Sequence, residues 1–488
     1  MPVNFMQPFQ MIPSLCRSNA FKQTGLTVLA CVASLLTYAS NAADGSFPLP
    51  KYVGDEAQLG KGIQRTMNLL ASSTPDHRNT VKVLFYGQSI TEQNWWKQVA
   101  EDLQARFPNA NLVIENRAIG GHSSQLLVKT AEADLFPFYP DLVIFHVYGS
   151  HIDYESIIRG IRERTTAEIL IQNDHVTKVA DLAEETDSSK LSPKNWDAFM
   201  NHQFLPETAR KYNTGFVDQR AAWKRYLTDN HLAPSDLLRD SVHLNDHGCF
   251  VMAEIVKAYL RVNPAVDDGG SQKWIRTYEG TDLRWADDRL VLEFEGNRID
   301  AIAPVNPVKG ESLEVWIDGR RPSEIASLRA FTRVSAFPRS NWPNLLRVQS
   351  GAPLETEGWT LTLTEVSDDL KTVKFKLRGL KTGEDGGGIS AEKFVSNSKQ
   401  IVIEPGDWNL EYCRRVFNRT LEPGYEITWQ VVPEFHDIFN PAPNNDSATE
   451  NAVVLVQGLT NGKHRLELRG NSGAKLLALK VYQPPLVP

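Results

Sequence analysis

Ser89 sits in Tyr86-Gly87-Gln88-Ser89-Ile90-Thr91, directly behind the apolar run Val81-Lys82-Val83-Leu84-Phe85. A serine in a turn at the end of a buried strand presents its hydroxyl at the mouth of the sheet. Its backbone N–H then lies near a helix start, where developing negative charge is stabilised. A serine hydroxyl is a poor nucleophile until a base takes its proton. The candidate base lies far along the chain, in Asp240-Ser241-Val242-His243-Leu244-Asn245-Asp246-His247-Gly248. The spacing lets Asp240 accept from one ring nitrogen of His243 and leaves the other to face Ser89, with Asn245 as the cap of the helix that follows. Without Ser89, the same residues would read as polar groups at a helix start.

Other titratable residues gather at or just after expected strand ends: His122, His146, His151, Asp153, Asp174 and His175. If two carboxylates flanked a sugar bond there, the same scaffold could serve a glycosidase. His243 and His247 have the spacing of helical metal ligands but straddle a helix start, so no metal site is expected, and acyl transfer by a serine requires no organic cofactor. The run Gly383-Glu-Asp-Gly-Gly-Gly388 lacks the Lys-Ser/Thr of a phosphate loop and reads as a flexible turn.

The elements that must position these residues follow from periodicity. Apolar runs at 81–86, 111–115, 141–148, 167–172 and, more weakly, 214–217 alternate with helix-period stretches. Trp95, Val99 and Leu103 fall on one helical face, as do Val251, Ile255 and Tyr259. Strands apolar on both faces that alternate with amphipathic helices predict a three-layer αβα domain over 81–265, a parallel sheet whose chemistry lies at the carboxyl ends of its strands. The polar stretch 177–195 reads as an insertion after the fourth strand, either a lid or a solvated loop.

After Pro264 the character changes. Asp267-Asp268-Gly269-Gly270-Ser271 is a linker candidate, and short alternating stretches split by turn pairs such as Asp318-Gly319 predict an all-β sandwich or jelly roll over 272–488. Seven of the eleven tryptophans lie in this half, most expected in its core and some as sugar-stacking platforms.

The 488-residue chain, 41% apolar and 23% charged, has the makeup of a globular protein. Arg17 and Lys22 precede the apolar run Gly25–Ala39 and the small residues Ser40-Asn41-Ala42-Ala43, so residues 1–43 read as a secretory signal peptide cleaved near Ala42/Ala43. The expected location is secreted or periplasmic; attachment of lipid through Cys31 is the alternative. Residues 44–80 read as a linker or extension. Cleavage removes two positive charges and takes the formal charge from −7 to −9. With no basic cluster, a nucleic-acid partner is not expected. No integral membrane span is expected after cleavage. Cys249 and Cys413, left in different proposed domains, give no disulfide framework.

Together these motifs resemble the SGNH (GDSL-type) hydrolase superfamily over 81–265. Gly87-Gln88-Ser89-Ile90-Thr91 is similar to its first motif, with Gln88 in place of the acidic residue. Asn116-Arg117-Ala118-Ile119-Gly120-Gly121-His122-Ser123 resembles the second, which puts the oxyanion glycine on Gly121, and Asp240 and His243 match the final Asp-x-x-His. The third motif departs: in Tyr148-Gly149-Ser150-His151-Ile152-Asp153, His151 stands where the family carries an oxyanion-donating Asn. The resemblance implies a flavodoxin-like sheet and a triad of Ser89, His243 and Asp240. Its oxyanion hole would comprise the N–H groups of Ser89 and Gly121, with His151 as third member. Stretches 292–302, 315–319 and 458–468 resemble galactose-binding-type sandwiches.

The expected function is a secreted serine esterase that removes acyl groups, foremost acetyl, from a polysaccharide or an acylated small molecule. A glycoside hydrolase on this scaffold and a non-catalytic glycan-binding protein are the alternatives.

Overall fold

The computed structural model describes residues 47–307, 312–336, 343–417, 421–470 and 476–487. The expected leader, with Cys31 and Ala42/Ala43, lies outside the described residues, as does Trp342. Strands β1 (Thr80–Gly87), β2 (Asn111–Asn116), β3 (Leu142–His146), β4 (Glu168–Gln172) and β5 (Gly215–Val217) form a parallel sheet in the order β2-β1-β3-β4-β5. This is the flavodoxin-like order, and its switch point lies between β1 and β3. The register aligns the carboxyl ends there: Phe85 pairs with Asn116 and Gly87 with His146.

The α-helices around this sheet are α1 (Gln64–Ala71), α2 (Ser89–Glu92), α3 (Trp95–Arg106), α4 (Ser124–Asp134), α5 (His151–Arg164), α6 (Trp196–Phe199), α7 (Leu205–Lys211), α8 (Gln219–Asp229) and α9 (Asp246–Tyr259). β1 is buried on both faces. Val83 and Phe85 join a cluster with Trp95, Leu103, Trp223 and Val251, while Leu84 and Tyr86 join another with Leu127, Ile158 and Phe199. Successive strand residues point to opposite faces, so one apolar run supplies both cores of the three-layer domain.

Residues 47–80 are not the linker that their position suggested. Leu59, Ile63, Met67 and Leu70 are buried in the first of these cores. Glu168, at the start of β4, fixes them there: its two carboxylate oxygens accept from the N–H groups of Arg65 (3.0 Å) and Thr66 (2.7 Å), in the first turn of α1. An anion on the free N–H groups of a helix start is favoured by both hydrogen bonding and the helix dipole. The same carboxylate accepts from Ser271 Oγ at 2.9 Å, so the expected linker at 267–271 ends in a buried anchor.

The stretch 177–195 forms three short 3₁₀ turns, Val179–Ala183, Ser188–Lys190 and Pro193–Asn195. Glu184 pins it to α8 by accepting from Arg220 (2.5 and 2.7 Å) and Lys224 (2.8 Å).

Beyond 272 the described chain is mainly antiparallel β, with one α-helix at Leu410–Phe417, and its apolar residues form two clusters. One is built on a seven-stranded sheet around the long pair Arg289–Ala303 and Asn451–Arg469. The other, between Val334 and Val431, includes the paired Trp359 and Trp429. Gly383–Ile389 is a strand paired with Val373–Gly379, not a flexible turn; cross-strand pairing overrides the low strand preference of its glycines. Polar bonds join this half to the α/β layers. Arg333 donates to Asp134 (2.7 Å) and to the Arg117 carbonyl (2.8 Å), and Asn297 donates to the Arg164 carbonyl (2.9 Å). Phe47–Pro488 is accordingly one compact unit. Among the described residues, no helix is long and apolar enough to cross a membrane.

Replacing Glu168 by Ala leaves buried donors of α1 without a partner. We expect a loss of roughly 2–4 kcal/mol in denaturant unfolding, against about 1 kcal/mol for Ser271→Ala. Equal losses in the two variants would contradict the capping role.

Candidate active site

Ser89 is the first residue of α2, two residues past the end of β1. The turn requires glycine at 87, because a Cβ there would lie 2.0 Å from the His146 carbonyl oxygen and 2.4 Å from Thr91 Oγ1. Thr91 Oγ1 itself donates to that carbonyl at 3.0 Å and locks the turn to β3.

Ser89 Oγ lies 2.9 Å from His243 Nε2, and His243 Nδ1 lies 2.8 Å from Asp240 Oδ2. The carboxylate accepts, so Nδ1 carries the proton and Nε2 is left to accept from the serine hydroxyl. Asp240 Oδ1 accepts from the backbone N–H groups of His243 (2.8 Å) and Val242 (2.9 Å). Those N–H bonds, that of His243 foremost, hold the Asp240 carboxyl down to about 2. It is therefore ionised at any working pH near neutrality. The helix behind the loop starts at the expected cap: Asn245 accepts from Gly248 N–H at 2.9 Å.

Gly121 follows β2 in a left-handed conformation, φ 72°, which glycine adopts without strain. The loop leading to it extends the β1–β2 pairing, with Arg117 N–H donating to Phe85 and Ile119 N–H to Gly87, each at 3.0 Å. His151 opens α5, and its ring packs 5.4–5.5 Å from the rings of Trp196, Phe199 and Phe204. Among the described residues, no hydrogen bond joins it to Ser89, Gly121 or His243. His247 stands apart from Ser89, His243 and Asp240: its Nε2 bonds the Tyr226 hydroxyl at 2.7 Å and its ring stacks on Phe47.

Three positioning residues were not visible in the sequence pattern. Gln93 bonds the Leu244 peptide with both ends of its amide, accepting from N–H at 3.0 Å and donating to C=O at 2.8 Å, and so ties the histidine loop to the serine turn. Asn116 donates to the Thr91 carbonyl at 2.6 Å and accepts from Ala118 N–H at 2.9 Å, which joins α2 to the Gly121 loop. Glu92 accepts from Gly120 N–H; burial raises its carboxyl above the usual range despite that bond. A side-chain amide or carboxylate bound to a remote backbone group leaves no periodic signal.

The cleft beside Ser89 is lined by the polar residues Glu92, Gln93, Asn94, Arg239, Asn245 and Asp246, together with Leu244 and Cys249. From the β half, the Tyr412 hydroxyl donates to the Gly121 carbonyl and its ring stands edge-on to His122, 6.2 Å between centroids. Burial pushes the His122 imidazole down to about 4.

No protein-family model matches the chain, and no curated protein matches it. Solved structures do. An acetylxylan esterase from Geobacillus stearothermophilus is 19% identical, with 38% of this chain and 96% of that chain covered at a TM-score of 0.31. An alpha/beta hydrolase enzyme from the metagenome of Lake Arreo, Spain, is 18% identical, covering 39% and 99% at 0.31. A two-domain esterase active on acetylated mannans, co-crystallised with mannopentaose, is 14% identical and covers 88% of this chain and 98% of that chain at 0.34.

His122 gives a pH prediction. Its folded value of about 4 lies below the ordinary histidine value of about 6.5, so between these limits the unfolded chain binds the proton first. The stability gained by keeping the ring neutral is full above about pH 6.5 and declines by roughly 2–4 kcal/mol towards about pH 4. Denaturation midpoints measured across this range should fall on acidification, and more shallowly in His122→Gln; equal slopes in both proteins would refute the assignment.

Proposed function

We propose that the chain is a serine ester hydrolase of the SGNH type that removes short acyl groups, acetyl foremost, from a carbohydrate. The observation that carries this reading is the continuous chain of hydrogen bonds from Ser89 Oγ through His243 to Asp240, at 2.9 and 2.8 Å. Ser89 Oγ attacks the ester carbonyl carbon while His243 Nε2 takes its proton. Asp240 holds the ring in the tautomer that accepts, and stabilises the imidazolium that forms. The tetrahedral intermediate collapses as the alcohol leaves with the proton from His243. Water, activated by the same imidazole, then releases the acid from Ser89.

The N–H groups of Ser89 and Gly121 would receive the oxyanion, with His151 as a third donor. The aromatic packing of the His151 ring limits its reach, so the first two donors would carry most of the stabilisation. The mostly polar and charged lining beside Ser89 suits a hydroxyl-rich leaving alcohol and a small acyl group. The β half then serves the site through the Tyr412 contact with Gly121, whether or not it binds glycan by itself. A signal peptide at 1–43 would deliver the enzyme to exported or environmental polysaccharide.

Kinetics on an aryl acetate and acetate release from acetylated glycans test the reading. Ser89→Ala and His243→Ala should each lower kcat by about 10⁴-fold or more, and Asp240→Asn by up to about 10⁴-fold through the wrong tautomer. Unchanged turnover in Ser89→Ala, or cleavage of aryl glycosides without that of aryl acetates, would defeat it. His151→Asn should hold or raise ester turnover if the ring is a substitute donor; collapse would assign it another role.

A further inference from the structure

A second group of titratable side chains lies at the mouth of the sheet and is not used by the triad. His146 ends β3, and Asp174 and His175 follow β4; both histidines are buried. Their ligand-type atoms lie within 4.8 Å of one another, a set able in principle to hold a divalent cation. The spacing argues for hydrogen bonds instead. His146 Nε2 and His175 Nδ1 stand 3.2 and 3.0 Å from the same oxygen, Asp174 Oδ1. Tetrahedral ligands about 2.1 Å from a metal would be about 3.4 Å apart. Arg220, whose Nη1 donates to the His175 carbonyl at 2.7 Å, already supplies positive charge beside the group.

The partners of His175 determine its protons. Nδ1 faces Asp174 Oδ1 at 3.0 Å, and Nε2 faces the Val242 carbonyl oxygen at 2.8 Å. The same Asp174 oxygen also accepts from the His175 backbone N–H at 3.0 Å, as an ionised carboxylate does. A carbonyl and a carboxylate only accept, so both ring nitrogens must donate. The ring is held in place by Trp223, whose centroid is 5.3 Å away.

The peptide that His175 grips is the one joining Val242 to His243. Its C=O accepts from His175, and its N–H, on the opposite side of the trans plane, donates to Asp240 Oδ1 at 2.8 Å. Rotation of that plane would break both bonds. Apart from the local bond from the Arg239 N–H to the His243 carbonyl (2.9 Å), the bond to Val242 is, among the described residues, the one hydrogen bond that ties the backbone of 240–243 to another part of the chain. Val242 is itself exposed, so the loop has little packing to hold it.

We propose that His175, doubly protonated and paired with Asp174, is a positioning residue: by donating Nε2–H to the Val242 carbonyl it fixes the peptide that aims His243 at Ser89. The proposal rests on the reading of Ser89, His243 and Asp240 as a triad. Its test combines kinetics with nitrogen NMR on the full chain. His175→Ala should lower kcat for an aryl acetate by about 100-fold, the effect of a misplacement near 1 Å, with KM changed by less than about threefold. Nitrogen spectra of the wild type near neutral pH should show both His175 ring nitrogens protonated, and Asp174→Asn should abolish that signature.

An active wild type with an unchanged kcat in His175→Ala would overturn the positioning role alone, as would a singly protonated His175 ring. One equivalent of zinc retained by the wild type and lost in Asp174→Asn would overturn it in favour of a metal site. A wild type without ester turnover would instead refute the triad reading on which the proposal rests.

Discussion

A hydrogen bond of 2.9 Å between Ser89 Oγ and His243 Nε2 joins residues 154 positions apart. The hydroxyl is activated only within that distance, so the fold has to bring the end of the first strand and the start of the last helix of the α/β layers to one point. Two rigid supports do this. On the serine side, Gly87 permits a turn so tight that its Cα approaches the backbone of β3. On the histidine side, Asp240 gathers two backbone N–H groups and the imidazole with one carboxylate. The supports are joined by Gln93, which bonds both polar atoms of the Leu244 peptide.

The sheet order explains why Gly121, the proposed oxyanion glycine, arrives at the same place. β1 lies between β2 and β3, so the loop after β2 and the turn after β1 emerge side by side at the carboxyl edge of the sheet, next to the switch point between β1 and β3. Asn116 and Glu92 then stitch the two loops together, each through a backbone group of the other. The β half reaches this loop as well, through Arg333 at the Arg117 carbonyl and Tyr412 at the Gly121 carbonyl. It braces the catalytic layer from outside.

Much of this was legible in the letters because it depends on local pattern. The strand that ends at Gly87, the helix faces of Trp95–Val99–Leu103 and Val251–Ile255–Tyr259, and the spacing of Asp240 to His243 all repeat at short range. What was not legible depends on distance in the chain. Residues 47–80 look like a connector until Glu168, about a hundred positions away, caps α1. The division of the β half into two apolar clusters follows from which strands share a sheet, and alternation alone does not encode that. The polar run at 177–195 hides one residue, Glu184, whose ion pairs with Arg220 and Lys224 remove the freedom that its composition suggested.

On the proposed mechanism, the environment of His243 makes one hydroxyl of this chain nucleophilic. A fluorophosphonate that reacts only with activated serines, followed by peptide mass spectrometry, measures this directly and needs no knowledge of the natural substrate. A single adduct is expected, on Ser89, formed in the wild type and lost in His243→Ala. An adduct on another residue, or equal labelling of Ser89 with and without the imidazole, would contradict it.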